Sequence, residues 1–202
     1  MVKVSNHIKC PDFPCTDTDT TSYNLPDVEI YPSKIKVVVV AEAPPNDKTE
    51  YFYASGKPFY LQTTLQAFND AGFSVSNMQD ILNLGVYITT AIKCGKTQYA
   101  ILLATIKNCA QLLENEMSLF QNVKAYILGG DVAIKAMNSI WGKHTGKKVI
   151  PPGSTYKIRK QMFYFGDKRV FPSYTPAGKN FLIEKSKRKM VADDIREAMK
   201  LI

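Results

Sequence analysis

Apolar positions along the chain fall into short β-branched runs separated by longer segments of helical period. The run Ile35-Lys36-Val37-Val38-Val39-Val40 reads as a strand buried on both faces, stopped by Pro44-Pro45. From Tyr60 to Ala71, Leu61, Leu65 and Phe68 share one helical face, and Gly72 supplies a stop. Val86 to Ile92 predicts a second strand and Tyr99 to Met117 a second helix, with Leu102, Ile106, Cys109, Leu113 and Met117 recurring at helical spacing. A third strand over Ala125 to Leu128 runs into Gly129-Gly130, after which Asp131 can cap a helix from Val132 to about Ile140. Between Trp141 and Phe165 the alternation is interrupted by glycines, prolines and cations; Thr155 to Ile158 and Gln161 to Phe165 are expected to form a hairpin. Val170 to Ser173 is the last predicted strand, and Lys185 to Ile202 closes the chain as an amphipathic helix.

Strands that alternate with helices imply a mostly parallel sheet covered on both faces, because each crossover helix must pack back across it. The expected fold is a three-layer α/β/α sandwich on a four-stranded sheet. A ligand site belongs beyond the carboxyl ends of such strands, so Ala41 to Pro45, Thr89 to Cys94, Gly129 to Asp131 and Ser173 to Gly178 are the stretches of interest. The 202 residues suffice for one core, giving a single domain over residues 1–202 with a loop-rich segment at 1–33. The longest apolar run, Val37 to Ala41, is too short to cross a bilayer, and nothing near Met1 marks the chain for export. A cytoplasmic monomer that engages no membrane is expected. A net charge of +8 favours a polyanionic partner.

Taken in order, these stretches resemble the uracil-DNA glycosylase superfamily, in particular its thermostable iron–sulphur branch. Ala41-Glu42-Ala43-Pro44-Pro45 resembles that branch's Gly-Glu-Ala-Pro-Gly turn, and Gly56-Lys57-Pro58-Phe59 resembles its Gly-Arg-Pro-Phe. Tyr87-Ile88-Thr89-Thr90 followed by Lys93-Cys94 resembles Tyr-Ile-Thr-Asn followed by Lys-Cys, and Leu128-Gly129-Gly130-Asp131-Val132-Ala133 covers the Leu-Gly-x-x-Ala turn. Ala41 and Pro45 replace two glycines, Thr90 stands at the base-reading asparagine, and Thr175-Pro176 stands where the family has His-Pro.

The resemblance implies an enzyme that hydrolyses the N-glycosidic bond of uracil or another damaged base in single- or double-stranded DNA. Glu42 would order water or stabilise positive charge on the sugar, and Phe59 would stack on the base. A carboxylate that merely ties its turn together and a core aromatic are the plainer alternatives for these two. Thr90 would touch the base edge with one hydroxyl, and Thr175 would donate to the departing base without the charge of an imidazole. Lys179, Asn180, Lys187 and Arg188 would contact DNA, and Phe181 either wedges into the stack or packs against the last helix. The four cysteines, Cys10, Cys15, Cys94 and Cys109, would hold a 4Fe-4S cluster. The Cys-x4-Cys spacing of the first pair leaves zinc as an alternative. His7 and His144, the two histidines, are expected on the surface. Two further readings share the fold: an inactive nucleic-acid-binding iron–sulphur protein, and a zinc-stabilised nucleotide hydrolase.

Overall fold

The computed structural model describes residues 1–202, apart from the side chains of Lys179 and Asn180. The N-terminal segment carries three two-residue strands, β1 (Val2–Lys3), β2 (Thr18–Asp19) and β3 (Glu29–Ile30), with single helical turns between them. The core then begins with β4 (Val37–Ala41), α1 (Phe59–Asp70), α2 (Met78–Asn83), β5 (Val86–Thr90) and a short β6 (Gly95–Lys96). It continues through α3 (Leu103–Met117), β7 (Ala125–Gly129), α4 (Asp131–Thr145) and α5 (Thr155–Ile158). The chain closes with β8 (Phe163–Phe165), β9 (Lys168–Ser173), α6 (Lys179–Ile183) and α7 (Lys185–Met199).

The sheet has five strands in the order β5-β4-β7-β9-β8, one more than the sequence pattern gives. Four strands, β5, β4, β7 and β9, run parallel through three pairings, and β8 pairs antiparallel with β9 through Phe163↔Val170 and Phe165↔Lys168. The expected hairpin therefore lies further along the chain. Thr155–Ile158 is a helical turn, with the amides of Lys157 and Ile158 donating to the Ser154 carbonyl. Gly166, at φ +61, turns the chain between β8 and β9 instead. Ring stacking of Phe165 on Trp141, 5.0 Å between centroids, fastens this edge hairpin to α4.

Every residue of β4, β5 and β7 is buried, which explains why these strands read as continuous apolar runs. Helices α1 and α7 pack together, and α7 crosses β7 and β9; α3 and α4 form the other helical pair. α2 begins with a reciprocal cap, in which the Asn77 side chain accepts from the Asp80 amide and Asp80 accepts from the Asn77 amide. Among the described residues, no helix is long and apolar enough to cross a membrane.

β4 has β5 on one side and β7 on the other, so the chain reverses its direction of travel across the sheet at β4. That reversal opens a crevice at the carboxyl ends of β4 and β7. A second anchor lies beneath it: Asp194 of α7 accepts from Arg159 and from the Ser173 hydroxyl, each at 2.6 Å, fixing the end of β9. Burial holds the Asp194 carboxyl up at about 6 despite these partners.

Candidate active site

A cavity of about 540 Å³ occupies the crevice, within the range of small-ligand sites. Glu42, Ala43, Pro44 and Pro45 after β4 form one wall; Gly130 after β7 and Tyr174 and Thr175 after β9 form another. Tyr60, Lys96, Tyr99, Phe181 and Lys187 are among the other residues that line it.

Local backbone chemistry sets these positions. The sheet ladder extends past β4 through Ala91 N–H to Ala41 carbonyl (2.8 Å) and Ile92 N–H to Glu42 carbonyl (3.0 Å), which fixes Glu42 at the mouth. A side chain on Gly129 would bring its Cβ to 3.0 Å from Thr175 Cα, so glycine there lets β9's exit lie against β7's. Gly178, at φ +83, donates its amide to Thr63 Oγ1 at 3.0 Å, tying the Thr175 loop to α1.

Glu42 and Thr175, the two residues expected to act on the bond, face one cavity. Glu42 Oε1 accepts from Lys96 Nζ at 3.2 Å. Thr175 donates its hydroxyl proton to the Gly129 carbonyl at 2.8 Å, which leaves only its lone pairs for a ligand. Phe59 and Thr90 do not line the cavity. Phe59 opens α1, its amide held by the Glu50 carboxylate. Tyr60, the next residue, presents an aromatic ring to the cavity, and burial followed by the Glu42 charge raises its hydroxyl above the usual tyrosine range. Thr90 is fully buried, and its hydroxyl, like that of buried Tyr51, lacks a hydrogen-bond partner.

Behind Thr90 lies a closed polar network. Lys93 Nζ, fully buried, donates to Glu116 (2.6 Å), the Thr89 hydroxyl (2.9 Å) and the Thr90 carbonyl (2.7 Å). Tyr87 donates to the other Glu116 oxygen, and burial together with that carboxylate drives its hydroxyl well above the usual range.

Of the residues expected on DNA, Lys187 lines the cavity, 5.2 Å above the Tyr174 ring and paired with Glu184. Arg188 points elsewhere, with Nη2 2.7 Å from Asp70 of α1. The side chains of Lys179 and Asn180 lie outside the described residues. Phe181 is buried at 3% exposure, whereas the adjoining Leu182 and Ile183 of α6 are 44% and 74% exposed. His7 is exposed, and His144 sits on the surface beside Glu114.

The cysteines come from three distant segments. Cys94 follows β5, Cys109 lies on α3, and Cys10 and Cys15 lie on the N-terminal segment, all as free thiols. Several bonds staple that segment to the core: Asn24 N–H to Lys93 carbonyl (2.8 Å), the β2–β6 ladder, and Asp17 accepting from the Leu102 amide (2.6 Å) at the start of α3. Burial pushes the Cys94 thiol up to about 12 and that of Cys109 to about 11, with neighbouring cysteines adding to both. Tyr23, whose oxygen accepts from the Cys10 amide, senses Cys10, Cys94 and Cys109 alike. The thiols thus converge within electrostatic reach, yet among the described residues no three His, Cys, Asp or Glu side chains are arranged to hold one metal ion.

Tyr60, Lys96, Tyr99 and Tyr174 are site residues that the sequence pattern did not single out. Tyr60 is one position from Phe59, and Lys96 two from Cys94, so the motifs pointed to their neighbourhood but not to them.

Comparison with known proteins agrees with this architecture. A curated Type-5 uracil-DNA glycosylase from Thermus thermophilus is 24% identical over 122 residues, 60% of this chain, and the match spans about half (53%) of that relative's length. The family model for the uracil DNA glycosylase superfamily matches residues 28–198. With the parallel sheet and the crevice after β4 enclosed in that span, the chain belongs to the uracil DNA glycosylase superfamily.

Proposed function

We propose that the protein is a DNA N-glycosylase that hydrolyses the bond between uracil or another damaged base and deoxyribose. The observation that carries this reading is Glu42 in the wall of a crevice roomy enough for an extruded nucleotide and rimmed by Tyr60, Tyr99 and lysines. A base inside a duplex is out of reach of any side chain, so it must be flipped into such a cavity. As the glycosidic bond breaks, its electron pair leaves with the base and C1′ becomes cationic. The Glu42 carboxylate supplies negative charge to that cation and accepts a proton from the water that adds to C1′. Tyr60, rather than Phe59 or Thr90, which do not line the cavity, offers the aromatic face for the base. Leu182 and Ile183, rather than buried Phe181, are the apolar side chains free to replace the flipped base in the stack. Lys187, on the rim of the cavity, would meet a phosphate.

Thr175 donates its only proton to Gly129, so the departing base lacks the charged donor that a histidine would give. Slow excision follows. Incubation with uracil-, hypoxanthine- and xanthine-containing oligonucleotides, followed by scoring of abasic sites, tests the reading. Abasic sites at one or more of these bases are expected. Tight binding with every base intact would replace it with a DNA-binding role for the same pocket, which the committed Thr175 hydroxyl would then explain.

The proposal includes a 4Fe-4S cluster on Cys10, Cys15, Cys94 and Cys109. The four thiols lie within electrostatic reach of one another, and four thiolates are the set that such a cluster requires. Such a cluster would act on structure, tying residues 10–15 to β5 and α3. Anaerobically purified protein is expected to be brown with about four irons per chain. A colourless protein with one zinc would reassign the site.

A further inference from the structure

Lys96 is placed with unusual firmness for a surface lysine. Its strand β6 pairs with β2, the Gly95 amide donates to Ser22 Oγ at 2.7 Å, and a Cβ on Gly95 would lie 2.0 Å from Asn46 Oδ1. The backbone is clamped on both sides, so only the side chain can swing. That side chain reaches the Glu42 carboxylate at 3.2 Å and the Tyr99 carbonyl at 3.2 Å, with the Tyr99 ring 5.5 Å away.

This contact conflicts with catalysis as described above. An ammonium beside Glu42 neutralises the charge that the sugar cation needs and repels that cation in its own right. The pair is also easily parted: both side chains are about one-third exposed, so water and salt screen their attraction. Near the cavity mouth, a bound DNA strand brings a phosphodiester that competes for the same ammonium with a full charge and several acceptor oxygens.

We propose that the Lys96–Glu42 pair is a latch released by DNA. In the free protein Lys96 neutralises Glu42; in the complex it moves to a backbone phosphate flanking the flipped nucleotide, and Glu42 is left as an uncompensated negative charge beside C1′. Lys96 is then a positioning residue that makes full activity depend on a phosphodiester chain. The inference rests on the glycosylase reading and extends it to how the substrate is sensed.

The test pairs a change in the protein with a change in the substrate. Oligonucleotides carrying the excised base are made with ordinary linkages or with uncharged methylphosphonates flanking that nucleotide, and single-turnover excision is measured. Wild type is expected to lose about tenfold on the methylphosphonate substrate, one charge-assisted contact's worth. Lys96→Met is expected to be nearly indifferent to the replacement, and its DNA affinity to show a salt slope lower by about one. Lys96→Arg should recover the wild-type sensitivity to linkage charge. Equal sensitivity of wild type and Lys96→Met, or an unchanged salt slope, overturns the latch while leaving the glycosylase reading intact. A wild type that excises nothing removes the glycosylase reading and the latch with it.

Discussion

Replacing Glu116 by leucine is expected to destabilise the protein by about 3–5 kcal/mol, a large part of the roughly 5–15 kcal/mol that holds a domain of this size folded. The cause is charge rather than volume. Lys93 and Glu116 are both fully shielded from solvent, and their 2.6 Å contact is the compensation available to the ammonium in that place. With the carboxylate gone, Lys93 Nζ retains the Thr89 hydroxyl and the Thr90 carbonyl, which satisfy two of its three hydrogens and leave its charge uncompensated. Tyr87 simultaneously loses the acceptor for a hydroxyl that has no access to water. Urea denaturation should show the loss as a lower midpoint at an unchanged slope. Combining Lys93→Met with Glu116→Leu should return most of the stability, because a packed apolar pair needs no compensating charge. A single variant as stable as wild type would show that the pair contributes little. The effect should extend to the site, since Lys93 grips the end of β5 through Thr90 and its carbonyl holds Asn24 of the N-terminal segment.

This network also marks where sequence reading stops. Val37–Ala41, Val86–Thr90 and Ala125–Gly129 are legible because buried parallel strands must be apolar on both faces, and few other structures use such runs. The turns after the first and third of these strands carry Glu42 and Gly130, and the turn after Lys168–Ser173 carries Thr175, so the place of the cavity was legible too. Its occupants were less so. Lys96 acquires meaning from Glu42, 54 positions away, and Asp17 starts α3 at Leu103 rather than Tyr99 by accepting from the Leu102 amide across 85 positions. Neither contact has a local signature. Thr155–Ile158 failed for a related reason: its β-branched residues suit a strand, but β9 takes Phe163–Phe165 as its edge partner, and the core admits Ile158 from a helical turn. The six-residue α2, with its cap at Asn77 and Asp80, is missing from the sequence reading because so short a helix imposes no period.

The Thr175→His variant is expected to excise base faster than wild type by a factor on the order of 100 to 1,000, the usual worth of one well-aimed donor to a developing anion. Thr175 holds its proton against the Gly129 carbonyl at 2.8 Å and so, on the proposed mechanism, would give the leaving base nothing. An imidazole at this position enters a cavity of about 540 Å³ and can carry positive charge where the base gathers negative charge. The glycine at 129 matters here, because a side chain on it would press on Thr175 Cα and turn the loop away. Adding Thr90→Asn should bring little further gain for uracil. Thr90 is fully buried beyond the cavity, and an amide there would remain shut away from the base. Glu42→Gln should reduce excision by about 100-fold or more, since it removes charge from the sugar side while keeping the shape of the turn. On the proposed mechanism separate groups would stabilise base anion and sugar cation, so in Glu42→Gln/Thr175→His the two factors should multiply to within a few-fold. Single-turnover excision at saturating enzyme reads all four proteins on the same scale. If Thr175→His leaves the rate unchanged while Glu42→Gln abolishes it, departure of the base is not what limits this site, and the deficit lies in forming or meeting the sugar cation at Glu42.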